Sequence, residues 1–244
     1  MKLKAELMAG ASLAFAVIAL AATPLFGRAE AQEPAHAVVA AGAPLAPDID
    51  PGTLSRLPLP TPAELGPEAP TRNGKPAPTD EPQRLYSLKL AEAMNAAHRY
   101  VKYDSGMDER LTIIAVLVTA RSLNSQFEWT RWEKHGRQEG DAKVDPAIID
   151  IIKYCKPVAG LGAKETAIIN LGRELFGPGE KVSSPTYAEA VRLFGKHGVV
   201  DLVDLMGLYQ VTATEIRAFD ARLDPKRYTP LLPPMSETPN CRRP

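Results

Sequence analysis

The stretch 109-ERLTIIAVLVTARSL-123 has apolar residues on nearly every face of a helix, and it decides the fold class. Its many β-branched residues would also allow a buried strand on composition alone. Its length, and the polar residues that flank it at helical period, favour a helix instead. A helix that is apolar all round belongs in the centre of a protein, so this segment predicts a buried central helix.

The segments around this central helix also have helical patterns. Apolar residues recur at helical spacing over 84–103. Asp145-Pro146 and Ser184-Pro185 each have the pattern of an N-cap followed by proline at the first helical position, and Gly198 is predicted to end the second of these helices. Further helices are predicted over 163–176 and 199–219. With no alternating strand pairs and no internal repeat, the sequence predicts a compact all-α domain.

The N-terminal residues 1–31 have the pattern of an export signal. Lys2 and Lys4 precede an uncharged run over 7–26, and 29-AEA-31 fits the small-x-small cleavage pattern. Cleavage would leave a periplasmic or secreted chain that does not associate with a membrane. The alternative is an uncleaved membrane anchor, because the uncharged run is nearly long enough to span a bilayer.

Composition divides the rest of the chain into three parts. Residues 32–82 hold 12 of the 23 prolines, which lack an amide hydrogen and have a fixed φ. This part is therefore predicted to be a linker or an arm on the domain surface. Residues 83–222 form the predicted helical domain, and 223–244 form a proline-rich tail.

The segment 125-SQFEWTRWEKH-135 contains both tryptophans of the chain and is the strongest candidate for a site. On a helix, one face would carry residues at i, i+3, i+4 and i+7, and an adjoining face would carry two more. These residues are Glu128, Arg131, Trp132 and His135 on the first face, and Trp129 and Glu133 on the second. Titratable groups in an apolar, water-poor setting have shifted pKa values that suit acid–base chemistry. The alternative is a core helix with a solvated polar edge.

This segment and its surroundings resemble the carboxymuconolactone decarboxylase-like family, which includes the alkyl hydroperoxidase-type proteins. The resemblance covers about 55–222. It rests on 55-SRLPLP-60, on residues 109–130, and on 198-GVVDLV-203 together with 207-GLY-209. It implies an all-α fold and a homo-oligomer, either a trimer or a hexamer.

The motif departs from both branches of that family. The peroxidase branch has Cys-x-x-Cys-x-x-x-His, where this chain has Ser125, Glu128 and Trp132. This helix has no cysteine for a thiol redox cycle, which disfavours a peroxidase. The decarboxylase-type branch has Glu-x-x-x-His, often followed by Glu. Here Glu128 and Glu133 are kept, Trp132 replaces the histidine, and His135 could stand in for it.

The resemblance implies a lyase-type enzyme that acts on a small carboxylated ring compound. Loss of carbon dioxide needs an anchored carboxylate, a conjugated carbonyl and a proton for the carbon. The catalytic candidates are Glu128, Glu133 and His135, and the substrate-binding candidates are Arg121, Arg131, Trp129 and Trp132. Two alternatives stay open: Glu128 could be a buried salt-bridge partner of Arg121 or Arg131, and the protein could be a non-catalytic ligand-binding member.

Charge and cysteine content limit the classes of partner and of chemistry that the sequence allows. The chain has 29 basic and 29 acidic residues, so its net charge gives no reason to expect nucleic acid as a partner. No residues have metal-ligand spacing, and no cofactor is expected. Cys155 and Cys241 lie outside any Cys-x-x-Cys motif, which favours a structural disulfide or two free thiols over redox catalysis.

Overall fold

The computed structural model describes residues 45–65, 71–72, 75–76, 79, 81–138, 140, 142–179 and 181–241. The signal peptide, its cleavage site and the anchor alternative lie outside these residues and stay predictions. Within the described part of the chain, no helix is long and apolar enough to cross a membrane.

The described residues are mainly helical, so the predicted all-α fold class is confirmed. Beside the helices there is a pair of two-residue antiparallel strands, β1 (Thr71–Arg72) and β2 (Lys75–Pro76). The helices are α1 (Pro62–Leu65), α2 (Gln83–Tyr86), α3 (Leu88–Arg99), α4 (Glu109–Ser122), α5 (Gln126–Gly136), α6 (Pro146–Lys153), α7 (Ala163–Leu175) and α8 (Ser184–Ala218). A π-helical turn, Tyr100–Asp104, follows α3, and two 3-10 turns, Met235–Glu237 and Pro239–Cys241, lie near the C-terminal end.

Helix α4 is the central helix that its apolar sequence predicts. Every residue from Leu111 to Arg121 is buried. Helices α5, α6, α7 and α8 all contact it. The Asp108 side chain caps its start by accepting a hydrogen bond from the Leu111 amide at 3.2 Å. Because α4 is apolar on all sides, it provides one core against which the other helices bury their apolar faces.

Two details of α8 differ from the prediction. The N-cap is Ser183, whose hydroxyl accepts a hydrogen bond from the Thr186 amide at 3.4 Å, so the helix begins one residue earlier than predicted. Its break lies at Gly195, which has a φ of 69°, whereas Gly198 lies within the helix that follows. Either glycine could adopt a left-handed conformation at little cost, so the pattern alone did not distinguish them.

The segments on both sides of the helical domain pack against it. In the N-terminal arm, the Arg56 amide donates to the Phe219 carbonyl at 2.8 Å, while the Arg222 amide donates back to the Leu54 carbonyl at 3.0 Å. The C-terminal tail crosses α5, where the Leu231 amide donates to Thr130 Oγ1 at 3.2 Å.

A disulfide joins the tail to the end of α6. It links Cys155 and Cys241, whose Cα atoms are 5.2 Å apart. Of the two expectations for these cysteines, the structure shows the bridge and not the free thiols. The bridge closes a loop of 86 residues, which encloses α7 and α8.

Candidate functional site

A cleft of about 260 Å³ lies beside the motif helix α5. Helix α5 provides one wall, α3 and its π-helical turn provide a second, and α8 provides a third. The lining residues are Glu128, Arg131 and Trp132 from α5; Asn95, His98 and Lys102 from α3 and the turn; Tyr209 and Thr212 from α8; and Glu81 and Arg84 from the segment before α3. Three of the seven residues predicted for the site therefore line one cleft.

Glu128 is the carboxyl group in this cleft whose proton affinity is most altered. Its side chain is buried, and the residue is only 5% exposed. The pKa of Glu128 is raised to about 7, mainly by burial and also by the nearby negative charge of Glu81, while the Arg131 charge and a hydrogen bond from the Trp132 side chain act in the opposite direction. A carboxyl group that titrates near neutral pH can both give and accept a proton.

His98, from α3, is a cleft residue that the sequence reasoning missed. The pKa of His98 is lowered to about 4, mainly by burial and also by the positive charges of Arg84 and Lys102. Its Nε2 atom is buried and has no hydrogen-bond partner among the described residues. The ring meets Tyr209 edge to face, with centroids 5.5 Å apart. The cleft therefore contains a neutral imidazole with an unused hydrogen-bonding atom.

Three cations accompany these groups. Arg84 donates to Asn95 Oδ1 at 2.9 Å and pairs with Glu81 at 3.1 Å, and its Nε is buried without a hydrogen-bond partner in the described part of the chain. Arg131 Nη1 lies 3.9 Å from Glu81 Oε2. Lys102 Nζ lies 4.5 Å from the centre of the Trp132 ring. Arg84, Arg131 and Lys102 therefore place three positively charged groups among the lining residues, and such groups bind carboxylates.

Two aromatic side chains give the cleft an apolar wall. The Trp132 and Tyr209 rings meet edge to face at 5.5 Å. Burial raises the pKa of Tyr209 well above its usual value, so its hydroxyl stays protonated and can donate a hydrogen bond. A small planar ring compound could therefore contact both an apolar surface and hydrogen-bond donors.

His135, the proposed substitute for the missing histidine, does not line the cleft. It is exposed on α5, where its Nε2 lies 3.3 Å from Glu109 Oε1 and its Nδ1 lies 3.3 Å from Gln138 Oε1. Its ring packs edge to face on Trp132 at 5.5 Å. Seven residues along a helix correspond to about 10 Å, so a shared face does not bring His135 to Glu128.

Glu133 and Trp129 form a buried cluster on another side of α5. Trp129 Nε1 donates to Glu133 Oε2 at 2.5 Å, and Lys153 Nζ and Arg137 Nη2 donate to Glu133 Oε1 at 2.7 and 2.6 Å. Glu133 is 1% exposed and Trp129 is fully buried. Neither residue reaches the cleft. Their bonds tie α5 to α6, so the residues predicted for catalysis (Glu133) and substrate binding (Trp129) lie apart from the cleft.

Arg121 also lies outside the cleft. It is buried, and it donates to the Pro233 carbonyl at 3.2 Å, to Asn124 Oδ1 at 3.1 Å and to the Met235 sulfur. These bonds attach the C-terminal tail to the end of α4. The sequence predicted Arg121 as a substrate-binding residue or as an ion-pair partner of Glu128, and the structure instead places it against the C-terminal tail.

The pH dependence of stability provides a test for the environment of His98. The pKa of His98 is lower in the folded chain than in the unfolded chain. Between pH 6.5 and 4, His98 is therefore protonated in the unfolded chain but not in the folded chain. Stability is therefore lost as the pH falls through this window, by on the order of 2 kcal/mol for a half-buried ring. Urea unfolding of His98→Asn at pH 7 and 4.5 should show a smaller loss than the wild type. The control is His135→Asn on the exposed side of α5. Equal losses in wild type and His98→Asn would contradict this assignment.

No group of three or more His, Cys, Asp or Glu residues within the described ranges is placed to hold a metal ion. Comparisons of the chain with protein-family models, curated proteins and solved structures found no match. The resemblance to the carboxymuconolactone decarboxylase-like family therefore rests on the motif residues alone.

Proposed function

We propose that the protein is an exported lyase-type enzyme of the carboxymuconolactone decarboxylase-like kind, and that the cleft is its active site for a small carboxylated ring compound. The observation that carries the proposal is the position of Glu128. A buried carboxyl group with a pKa of about 7 faces the same small cleft as three cations and an imidazole nitrogen that has no hydrogen-bond partner among the described residues. Perturbed titratable groups that converge in a cleft are typical of acid–base catalysis.

The cations would bind the carboxylate of the substrate. Arg84 has a buried Nε–H that no described residue accepts, and Arg131 lines the cleft beside it. A guanidinium group can donate two parallel hydrogen bonds to a carboxylate, which fixes the orientation of the acid as well as its position. The ring of the substrate would then lie against Trp132 and Tyr209.

The proposed reaction is the loss of carbon dioxide. The bond between the carboxylate carbon and the ring breaks, and its electron pair moves into a conjugated carbonyl to give an enolate. When the enolate returns to the carbonyl form, the ring carbon takes a proton from protonated Glu128, which later regains one from water. Neutral His98 can donate a hydrogen bond to the developing enolate oxygen.

A non-catalytic binding function is the second candidate, and Trp132 favours it. This indole occupies the position where the decarboxylase-type motif has histidine, and Lys102 lies over its ring. In that case the cleft would bind a small carboxylate without changing it. A thiol peroxidase is disfavoured because both cysteines are in the disulfide and neither is on the motif helix.

Ligand binding can be followed by tryptophan fluorescence. Trp132 lines the cleft whereas Trp129 is fully buried on another side of α5, so a bound ligand should change the emission of Trp132. The probes are small aromatic and lactone carboxylic acids, each paired with its neutral amide. Arg131→Gln should weaken binding of the acids by about ten- to a hundredfold, the usual effect of losing a charged hydrogen bond. Arg192→Gln, at an exposed pair with Glu189, is the matched control.

Two further measurements separate the candidate functions. Trp132→Phe should abolish the fluorescence change, which shows that the signal comes from the cleft. Release of carbon dioxide from a bound acid supports the lyase, and binding without release supports the second candidate. If no acid in the series binds, or if the neutral amides bind equally well, the proposed substrate class is wrong.

A further inference from the structure

Glu81 is the carboxylate that lies between the two arginines of the cleft. Its Oε1 pairs with Arg84 Nη2 at 3.1 Å, and its Oε2 lies 3.9 Å from Arg131 Nη1. The three residues come from three different parts of the chain: Glu81 from the non-helical segment before α2, Arg84 from α2 and Arg131 from α5. The Glu81 side chain is 19% exposed, so solvent reaches part of it.

The guanidinium group of Arg84 is only partly satisfied by this ion pair. Its Nη1 donates to Asn95 Oδ1 at 2.9 Å, and its Nη2 faces Glu81. Its Nε is buried and has no hydrogen-bond partner among the residues that the structure describes. The Nε–H and one Nη2–H of a guanidinium point the same way and together match the two oxygens of one carboxylate. The edge of Arg84 that best binds a carboxylate is therefore incompletely used.

The unused atoms at the cleft indicate what would complete it. His98 Nε2 is buried without a partner in the described part of the chain, as Arg84 Nε is, and both residues line the cleft. Buried polar atoms normally have a partner, so two such atoms at one cleft indicate a ligand with polar atoms of its own. A ligand carboxylate on the Nε edge of Arg84 would lie beside the carboxylate of Glu81. Like charges at that separation repel strongly in a partly buried site.

We propose that Glu81 is a specificity-determining residue that holds the carboxylate position of the cleft in the free protein, and that a substrate carboxylate binds by displacing it. This inference rests on the proposed function, because it concerns the same position in the same cleft. The exchange puts one carboxylate in place of another between Arg84 and Arg131, so the charge there is unchanged. A neutral ligand would separate Glu81 from both guanidinium groups without supplying a charge in its place, and it is excluded for that reason.

The Glu81 side chain can move while the backbone around it stays in place. The Glu81 amide donates to Thr79 Oγ1 at 3.0 Å, and its carbonyl accepts from the Arg84 amide at 3.2 Å. Neither bond involves the Glu81 carboxylate. The residue also precedes Pro82, the N-cap of α2, so it lies outside that helix. A change of rotamer is therefore enough to carry the carboxylate towards solvent.

The exchange also preserves the environment of Glu128. The negative charge of Glu81 is one of the causes that raise the pKa of Glu128, after burial. A bound carboxylate puts a negative charge in the position that Glu81 has left. Glu128 therefore keeps the proton that the proposed reaction delivers to the substrate.

Iodide quenching of fluorescence tests the exchange without any organic ligand. Trp132 lines the cleft and Trp129 is fully buried, so quenching reports on the cleft. In Glu81→Gln the competing carboxylate is gone, and at constant ionic strength the iodide quenching constant should rise by about twofold or more. Quenching by acrylamide, which is neutral, should not change. Glu92→Gln, at an exposed position on α3 outside the cleft, makes the same change in net charge and is the matched control.

Benzoate and benzamide test the exchange with a carboxylate and its neutral counterpart. Glu81→Gln should bind benzoate about tenfold or more tightly than the wild type, because a position that is free for only a small fraction of the time has a proportionately weaker apparent affinity. Benzamide should gain nothing. Glu81→Asp draws the carboxylate back from both guanidinium groups and should give a smaller increase in the same direction. In an Arg84→Gln background, the change at Glu81 should have little effect.

The sign of the effect separates the exchange from a structural role. If Glu81 only keeps the arginines in place, then Glu81→Gln should leave benzoate affinity unchanged or reduce it, relative to Glu92→Gln, and either result overturns the proposal. A rise in iodide quenching with unchanged benzoate affinity overturns it as well, because the carboxylate position is then not shared. Increases in both, with no carbon dioxide released from any acid, support the exchange and count against the lyase. Circular dichroism confirms that each variant is folded, and Glu81→Asp carries the test if Glu81→Gln is not.

Discussion

Glu128→Gln is expected to lower turnover of a true substrate by about a hundredfold or more, the usual effect of removing an acid–base group. Glutamine keeps the shape of the side chain and can still accept hydrogen bonds through its carbonyl oxygen. It cannot give or take the proton that the carboxyl exchanges near neutral pH. Measured over pH 5–9, the wild type should show a transition near the pKa of about 7, and the variant should lack it.

The same variant is expected to be more stable than the wild type at pH 8. Because burial raises the pKa of Glu128, between pH 4.5 and 7 the folded chain keeps a proton that the unfolded chain has lost. The wild type therefore loses stability as the pH rises through this window, by about 3 kcal/mol in full. The glutamine side chain of the variant carries no charge at any pH and avoids this loss. Thermal unfolding at pH 8 should show a higher Tm for the variant, with little difference at pH 4.5.

Glu133→Gln provides the matched control on the same helix. Glu133 is paired with Lys153 and Arg137, so removing its charge leaves a buried cation without its partner. This variant should be destabilised by about 3–5 kcal/mol at pH 8, the reverse of Glu128→Gln. If Glu128→Gln melts below the wild type at pH 8 and keeps its turnover, then Glu128 is a structural ion-pair partner and not the catalytic acid.

Removal of the disulfide is expected to have the largest effect on stability. The Cys155–Cys241 bridge closes a loop of 86 residues, and the chain-entropy relation assigns about 4–5 kcal/mol to a loop of that length. Replacing both cysteines by serine should lower the Tm by roughly 10–15 °C for a domain of this size. Differential scanning calorimetry under oxidising conditions measures the difference.

Reductant supplies the control for this prediction. Dithiothreitol should lower the Tm of the wild type to that of the double serine variant, and it should leave the variant unchanged. Neither cysteine lines the cleft, so turnover at a temperature where both proteins are folded should be the same. A Tm difference below about 2 °C would show that the bridge is not a major source of stability. Loss of hydroperoxide turnover in the variant would instead point to thiol chemistry.

The sequence by itself determined the central helix, the helical class and the face of the motif helix, but not the breaks at Ser87 and Gly195. The apolar run around Ile114 could only be buried, and its length and the helical period of the flanking polar residues predicted the central helix and the all-α class. The spacing of Glu128, Arg131 and Trp132 places them on one side of a helix, and all three line the cleft. These features are local, since helical periodicity fixes which residues share a face.

Tertiary structure alone decided which side chains meet across helices. His98 is thirty positions before Glu128, and no spacing rule connects them, yet α3 brings both to one cleft. The motif alone predicts Glu133 as a catalytic residue. The packing of α6 against α5, however, places the Lys153 ammonium group against the Glu133 carboxylate. Arg121 donates a hydrogen bond to the C-terminal tail, and this contact also depends on tertiary packing that no local pattern predicts. Periodicity defines the apolar face of each helix but not the neighbour that covers it, and the pKa of a buried group depends on that neighbour.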